Sequence, residues 1–110
     1  MSAYITLATP MVDQECLLNA LSDLGFPADR VEVHNTAVPL VGFEGGHRLQ
    51  QAHVVIRRHH VGNASNDIGF ERTSTGFRAH VSDYDRRRFT STWMRQALLP
   101  FPWVLGDLKY

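Results

Sequence analysis

Residues 3–9 alternate in polarity and are rich in β-formers, Tyr4, Ile5, Thr6 and Leu7, before Pro10 stops the run, which predicts a strand. Asp13 then offers an N-cap, and Leu17, Leu18, Leu21 and Leu24 recur at helical spacing to make one apolar stripe. Gly25 supplies a left-handed cap and Pro27 a stop, so this helix is sharply bounded. Residues 31–35 and 38–43 are β-rich runs split near Thr36, two strands or one bent strand, punctuated by Gly42 and the Gly45-Gly46 pair. Residues 52–60 contain Val54, Val55 and Ile56 in succession, the mark of a strand near the centre of a sheet. After a loop at 62–66, residues 67–73 and 77–82 flank Ser74-Thr75-Gly76, a tight hairpin in which glycine takes positive φ. Beyond Asp83 and Asp85, Phe89, Trp93 and Ala97 recur every four residues beside Met94 and Leu98, which predicts a second amphipathic helix over about 86–99. Pro100 and Pro102 end it. The tail from about residue 100 holds Phe101, Trp103, Val104 and Leu105, too apolar to stay in water, and is expected on the sheet or on a partner.

Strand, helix, three or four strands and helix in that order predict an α+β fold: a mainly antiparallel sheet of four to five strands with two helices packed on one face. The other face is expected to stay open. With 110 residues there is material for one core, so residues 1–110 read as a single domain. One cysteine excludes an intramolecular disulfide, which favours a reducing, cytoplasmic setting, and Cys16 is expected to be packed inside the first helix. No apolar run approaches the roughly 20 residues a spanning helix needs, so no membrane is expected. Eleven Lys and Arg balance eleven Asp and Glu, which leaves only local basic clusters to argue for a polyanionic partner.

Several runs resemble a known family. The start Tyr4-Ile5-Thr6, the helix ending Asp23-Leu24-Gly25-Phe26, Val41-Gly42-Phe43-Glu44-Gly45, residues 52–56, and Asn66-Asp67-Ile68-Gly69-Phe70 followed by Gly76-Phe77 are similar to the hypothetical chloroplast reading frame 35 proteins of plastids, cyanobacteria and other bacteria. The resemblance covers roughly residues 1–85, with Asp67-Ile68-Gly69-Phe70 its most specific piece. That family has an acidic residue where His53 stands and a Trp-containing segment where this chain has Ser82-Asp83-Tyr84-Asp85. It carries no established activity, and what it implies is the fold, a cytoplasmic setting and no cofactor.

The two-residue period of a strand puts His53, Val55, Arg57 and His59 on one face and Val54, Ile56, Arg58 and His60 on the other. The same period separates Ile68, Phe70 and Arg72 from Asp67, Gly69 and Glu71, and Phe77, Ala79 and Val81 from Arg78, His80 and Ser82. One polar face then holds His53, Arg57, His59, Asp67, Glu71, Arg78 and His80, a set suited to an anion, a metal or a partner chain. The plainer reading is a solvated face with cross-strand ion pairs of about 0.2–1 kcal/mol each. Three histidines and a carboxylate suit zinc, but along a straight strand His53 and His59 lie ~20 Å apart and share no metal-binding spacing. Arg57-Arg58-His59-His60 and Arg86-Arg87-Arg88 are the basic clusters; the latter opposes a helix dipole and is expected to pair with Asp83 and Asp85. The glycines at 42, 45 and 46 lack the Gly-Lys-Ser/Thr ending of a phosphate loop and read as a hairpin turn. The expectation is a small non-catalytic binding or regulatory module without cofactor or metal. It would dock to another protein through the open face, an edge strand or the tail, where Trp103 would anchor contact with a partner or a second copy. The alternatives are a nucleotide- or RNA-binding protein using a basic sheet face and a His/carboxylate metal-dependent enzyme.

Overall fold

The computed structural model describes residues 3–9 and 11–89, with side chains as far as Arg86. The elements in order are β1 (Tyr4–Ala8), α1 (Gln14–Asp23), a 3-10 turn (Ala28–Arg30), β2 (Glu32–Val41), β3 (His47–Ile56), α2 (Arg58–Val61), β4 (Ile68–Thr73), β5 (Gly76–Ser82) and α3 (Asp83–Phe89). The five strands form one sheet in the order β1-β5-β4-β3-β2, every neighbouring pair antiparallel. The fold is α+β. The second predicted helix is present at its start; its continuation over 90–99 and the tail with Trp103 lie outside the described residues.

α1 forms where the leucine spacing places it. Asp13 Oδ1 accepts the Cys16 N–H at 2.8 Å, and Gly25 at φ +101 lets the Phe26 N–H return to the Leu21 carbonyl at 2.9 Å. Leu17 and Leu21 are fully buried against Val54, Ile56, Ile68 and Phe70, while Leu24 sits at the margin of the same core. Cys16 departs from expectation, because it falls on the outer side of the stripe and is exposed. Residual desolvation and then Asp13 push its thiol above the ordinary value, which leaves it a poor nucleophile.

The sheet's second face is not open. β2 is one bent strand: from Val33↔Val54 to Val38↔Ala52 it advances five residues against two on β3, an irregularity that turns the β2–β3 arm over the sheet. Leu40 on the arm packs with Ala52 and Val55 into a second small core that Tyr4 and Val38 border. Arg48 reaches the opposite edge strand and lies over the Tyr4 ring at 5.3 Å from its centroid. Gly69 is what lets the arm close, since a Cβ there would stand 2.5 Å from Ala52 Cβ and 2.8 Å from Leu40 Cδ2. Gly69→Ala should therefore cost about 1–3 kcal/mol as overpacking, read as a lower urea midpoint. An unchanged midpoint would mean the arm does not rest on β4.

The predicted strand over 52–60 ends at Ile56, with Arg57 as the N-cap of α2. Asp67 Oδ1 accepts the Arg58 N–H at 2.7 Å and so draws the chain out of the sheet direction into the α2 turn. His59 consequently stands on a helix and not on the sheet face. β3 also begins earlier than expected, at His47, where His47-Arg48-Leu49-Gln50-Gln51 has no apolar side to announce a strand.

Candidate functional site

Three polar arrangements result from this architecture. The first centres on Asp67, whose carboxylate is fully buried. Its Oδ2 accepts the Val41 N–H and Arg57 Nη1, both at 2.8 Å, and Oδ1 accepts the Arg58 N–H. The Asp67 N–H donates to the Val41 carbonyl at 2.9 Å, and the Tyr4 hydroxyl donates to the Asp67 carbonyl at 2.5 Å. Burial, with Asp67 next, raises the Tyr4 phenol, so it stays protonated as a donor. Asn66 adds a clamp, accepting the Phe43 N–H at 2.7 Å. Arg57 continues outward to Glu32, Nε to Oε2 at 2.9 Å and Nη2 to Oε1 at 2.8 Å, and those hydrogen bonds, opposed by burial and aided by His34, hold Glu32 below the ordinary carboxylate range. This hub pins the arm and α2 to the start of β4. Asp67 and Arg57 are thus positioning groups within the fold, with Asp67 buried where an exposed residue was expected.

A second arrangement lies across the adjacent strands β1, β5 and β4. Thr6 pairs with His80, and His80 with Gly69, while Arg78 faces Glu71. His80, expected to be exposed, is only 5% accessible. Its Nε2 is 2.8 Å from Glu71 Oε1 and its Nδ1 is 2.9 Å from Thr6 Oγ1. Arg78 Nε donates to the same Glu71 oxygen at 3.0 Å. Burial acts to raise the Glu71 carboxyl, but the hydrogen bonds from His80 and Arg78 outweigh it and leave it below the ordinary value. A carboxyl lowered on folding contributes stability in full above its unfolded pKa of about 4.3, and loses it as pH falls through the lower folded value. Glu71→Gln should accordingly remove part of the stability loss seen between pH 5 and the acid range in urea titrations of the unmodified chain. Identical acid profiles for both proteins would show that Glu71 is not held ionised in this row.

The third arrangement is an open depression of about 590 Å3 lined by Val38, Pro39, Val41, Gly45, His47, Arg57, Arg58, His59 and Asp67. Alternation along the arm turns Leu40 toward the sheet and Pro39 and Val41 away from it, on the side of His47 and Leu49. Leu49 is 94% exposed, and Phe43, at the turn between the two strands, is 47% exposed. His47 and His59 are exposed as well. Arg58 directs two of its five side-chain N–H donors to backbone carbonyls, Nε to Ser65 at 2.8 Å and Nη2 to Asn63 at 2.7 Å, with its guanidinium 5.5 Å from the Phe43 ring centroid. Among the described residues no carboxylate pairs with it.

The polar set expected from sequence is therefore divided. Glu71, Arg78 and His80 meet in one row; Arg57 and Asp67 belong to the hub; His59 borders the depression from α2. His53 takes none of these parts: its Nδ1 accepts the Arg72 N–H at 2.9 Å where β3 and β4 separate, and burial followed by Arg72 lowers its pKa. Among the described residues no group of three or more His, Cys, Asp or Glu is placed to hold a metal ion. Arg86 pairs with Asp83 at 3.2 Å as expected, whereas Asp85 is buried and accepts from Ser65 and Ser82 at 2.6 and 2.8 Å. Thr6, Leu49 and His47 were not among the expected site residues, and Arg58 was expected only in the basic cluster of the nucleotide- or RNA-binding alternative. Thr6 becomes visible only once β1 is known to pair with β5, and Leu49 only once His47–Ile56 is known to be a strand. No family model, curated protein or solved structure matches the chain.

Proposed function

We propose that this protein is a small docking module that binds an extended segment of a partner protein on the outer side of the β2–β3 arm. The observation that carries the reading is Leu49, 94% exposed in a paired strand on the arm face to which alternation also turns Pro39, Val41 and His47. An apolar side chain so placed does nothing for the fold, and burying it against a partner yields about 1.5–3 kcal/mol. Arg58, with His47 and His59 at the same depression, favours a partner segment in which apolar residues adjoin a carboxylate. Arg57, Arg78 and Arg86 are each paired with carboxylates, which supports a peptide over a nucleic-acid backbone that needs several free cations. Kinship with the hypothetical chloroplast reading frame 35 proteins belongs to the proposal and adds no activity to it.

Selection of a random heptapeptide display library on the immobilised chain tests the reading. Enriched peptides should combine apolar residues with Asp or Glu. Leu49→Asp should weaken their binding at least about tenfold, the loss that about 1.4 kcal/mol represents. It should change stability by no more than about 0.5 kcal/mol, as an exposed substitution. No enrichment, or enrichment indifferent to Leu49→Asp and Arg58→Ala, would overturn it.

A further inference from the structure

The row Thr6–His80–Glu71 has the connectivity of an activated nucleophile: a hydroxyl on one imidazole nitrogen, and a carboxylate on the other. Glu71 is held ionised and can only accept, so His80 Nε2 carries a proton toward it, and in the neutral ring Nδ1 is left as the acceptor of the Thr6 hydroxyl. The base is shielded while the nucleophile is not, since His80 is 5% accessible and Thr6 is exposed. Thr6 lies on β1, an edge strand of the described sheet, so no further described strand covers its outer side.

We propose that Thr6 is an acyl-accepting nucleophile, with His80 as its base and Glu71 as the residue that positions the imidazole, acting on small carboxylic esters with a good leaving group. Thr6 Oγ1 bonds to the ester carbonyl carbon while its proton passes to His80 Nδ1. The tetrahedral adduct then expels the alcohol or phenol oxygen, which takes that proton from His80, and an acyl-Thr6 ester remains. Water, deprotonated by the same nitrogen, attacks the acyl carbon and restores the Thr6 hydroxyl with release of the carboxylic acid. No oxidant or metal enters either half.

The full-length chain is incubated with p-nitrophenyl acetate, nitrophenolate release is followed, and the acetylated residue is located by peptide mass spectrometry. Acetyl on Thr6 is expected, retained at that position in Thr6→Ser and absent in Thr6→Val, an exposed and nearly isosteric change that leaves the fold intact. His80→Ala should slow acylation by about 100-fold or more, with added imidazole restoring part of the rate, a recovery that a purely structural histidine would not show. Glu71→Gln should lower the rate at saturating ester and leave the half-saturating concentration unchanged. Acetylation confined to lysine, surface histidine or the amino terminus would overturn the proposal, as would nitrophenolate release equal in the wild-type chain and Thr6→Val.

Discussion

Asp67→Ala is expected to destabilise the protein by about 3–5 kcal/mol, the range for removing one partner of a buried, hydrogen-bonded charge pair. The substitution leaves Arg57 Nη1 and the N–H groups of Val41 and Arg58 without their acceptor. A domain of this size is stable by only some 5–15 kcal/mol, so the loss is a large fraction of the total. The damage should be local before it is global. Amide exchange at Val41 and Arg58 should accelerate first, because Asp67 is what ties the arm and α2 to β4, while protection at Leu21 on α1 should fall only with global unfolding. Asp67→Asn should lie between the two, since its carbonyl replaces one acceptor oxygen and its amide presents donors to donors. A loss below about 1 kcal/mol for Asp67→Ala would show that water or a neighbouring group takes over the carboxylate's contacts.

Phe70→Ala should cost a similar amount, about 3–5 kcal/mol, for a different reason. Phe70 is fully buried on the α1 face of the sheet's middle strand, opposite Val54 on one side and Ala79 on the other. Neither neighbouring strand can move in to fill the space without giving up its ladder, so a cavity remains. Here exchange should accelerate across β3, β4 and β5 together and should show no preference for the arm. Equal urea slopes with a lower midpoint would be the signature of lost stability without a change in the unfolding reaction.

The parts of the fold that were legible in sequence are those specified by local periodicity. α1 was announced by its leucines and its Asp13 and Gly25 boundaries, and the β4–β5 hairpin by alternation around a turn with Gly76 at φ +147. The face assignments on β4 and β5 hold for the same reason: Ile68, Phe70, Ala79 and Val81 all enter the core beneath α1. What periodicity could not show was the fate of the opposite face. Its cover depends on a bend in β2 and on the absent side chain of Gly69, and neither leaves an alternating pattern. Once the arm folds over, Val55 and Asp67 cease to be surface residues, and extrapolating strand alternation through Arg57 to His59 fails where Asp67 captures the Arg58 N–H. Contacts of this kind join positions 9 to 26 residues apart and involve backbone groups, which have no residue type to read.

The same distinction governs the candidate site. Glu71, Arg78 and His80 were expected on a common face and do meet, because a single hairpin sets their register. Thr6 completes that row from the far end of the described chain, and it is an ordinary strand threonine until β1 pairs with β5. Leu49 was silent because a lone leucine among histidine, arginine and glutamine residues gives no period. Its meaning comes from exposure on the outer face of an arm that only the bend in β2 creates.

The docking reading is tested most directly by titrating a peptide from the display selection into isotopically labelled protein and following backbone and side-chain NMR shifts. The expected result is a saturable set of changes confined to Pro39, Val41, His47, Leu49, Arg58 and His59, and abolished in Leu49→Asp while the rest of that variant's spectrum matches the wild-type protein. Changes centred on β1 and β5, or binding that survives Leu49→Asp unaltered, would contradict it.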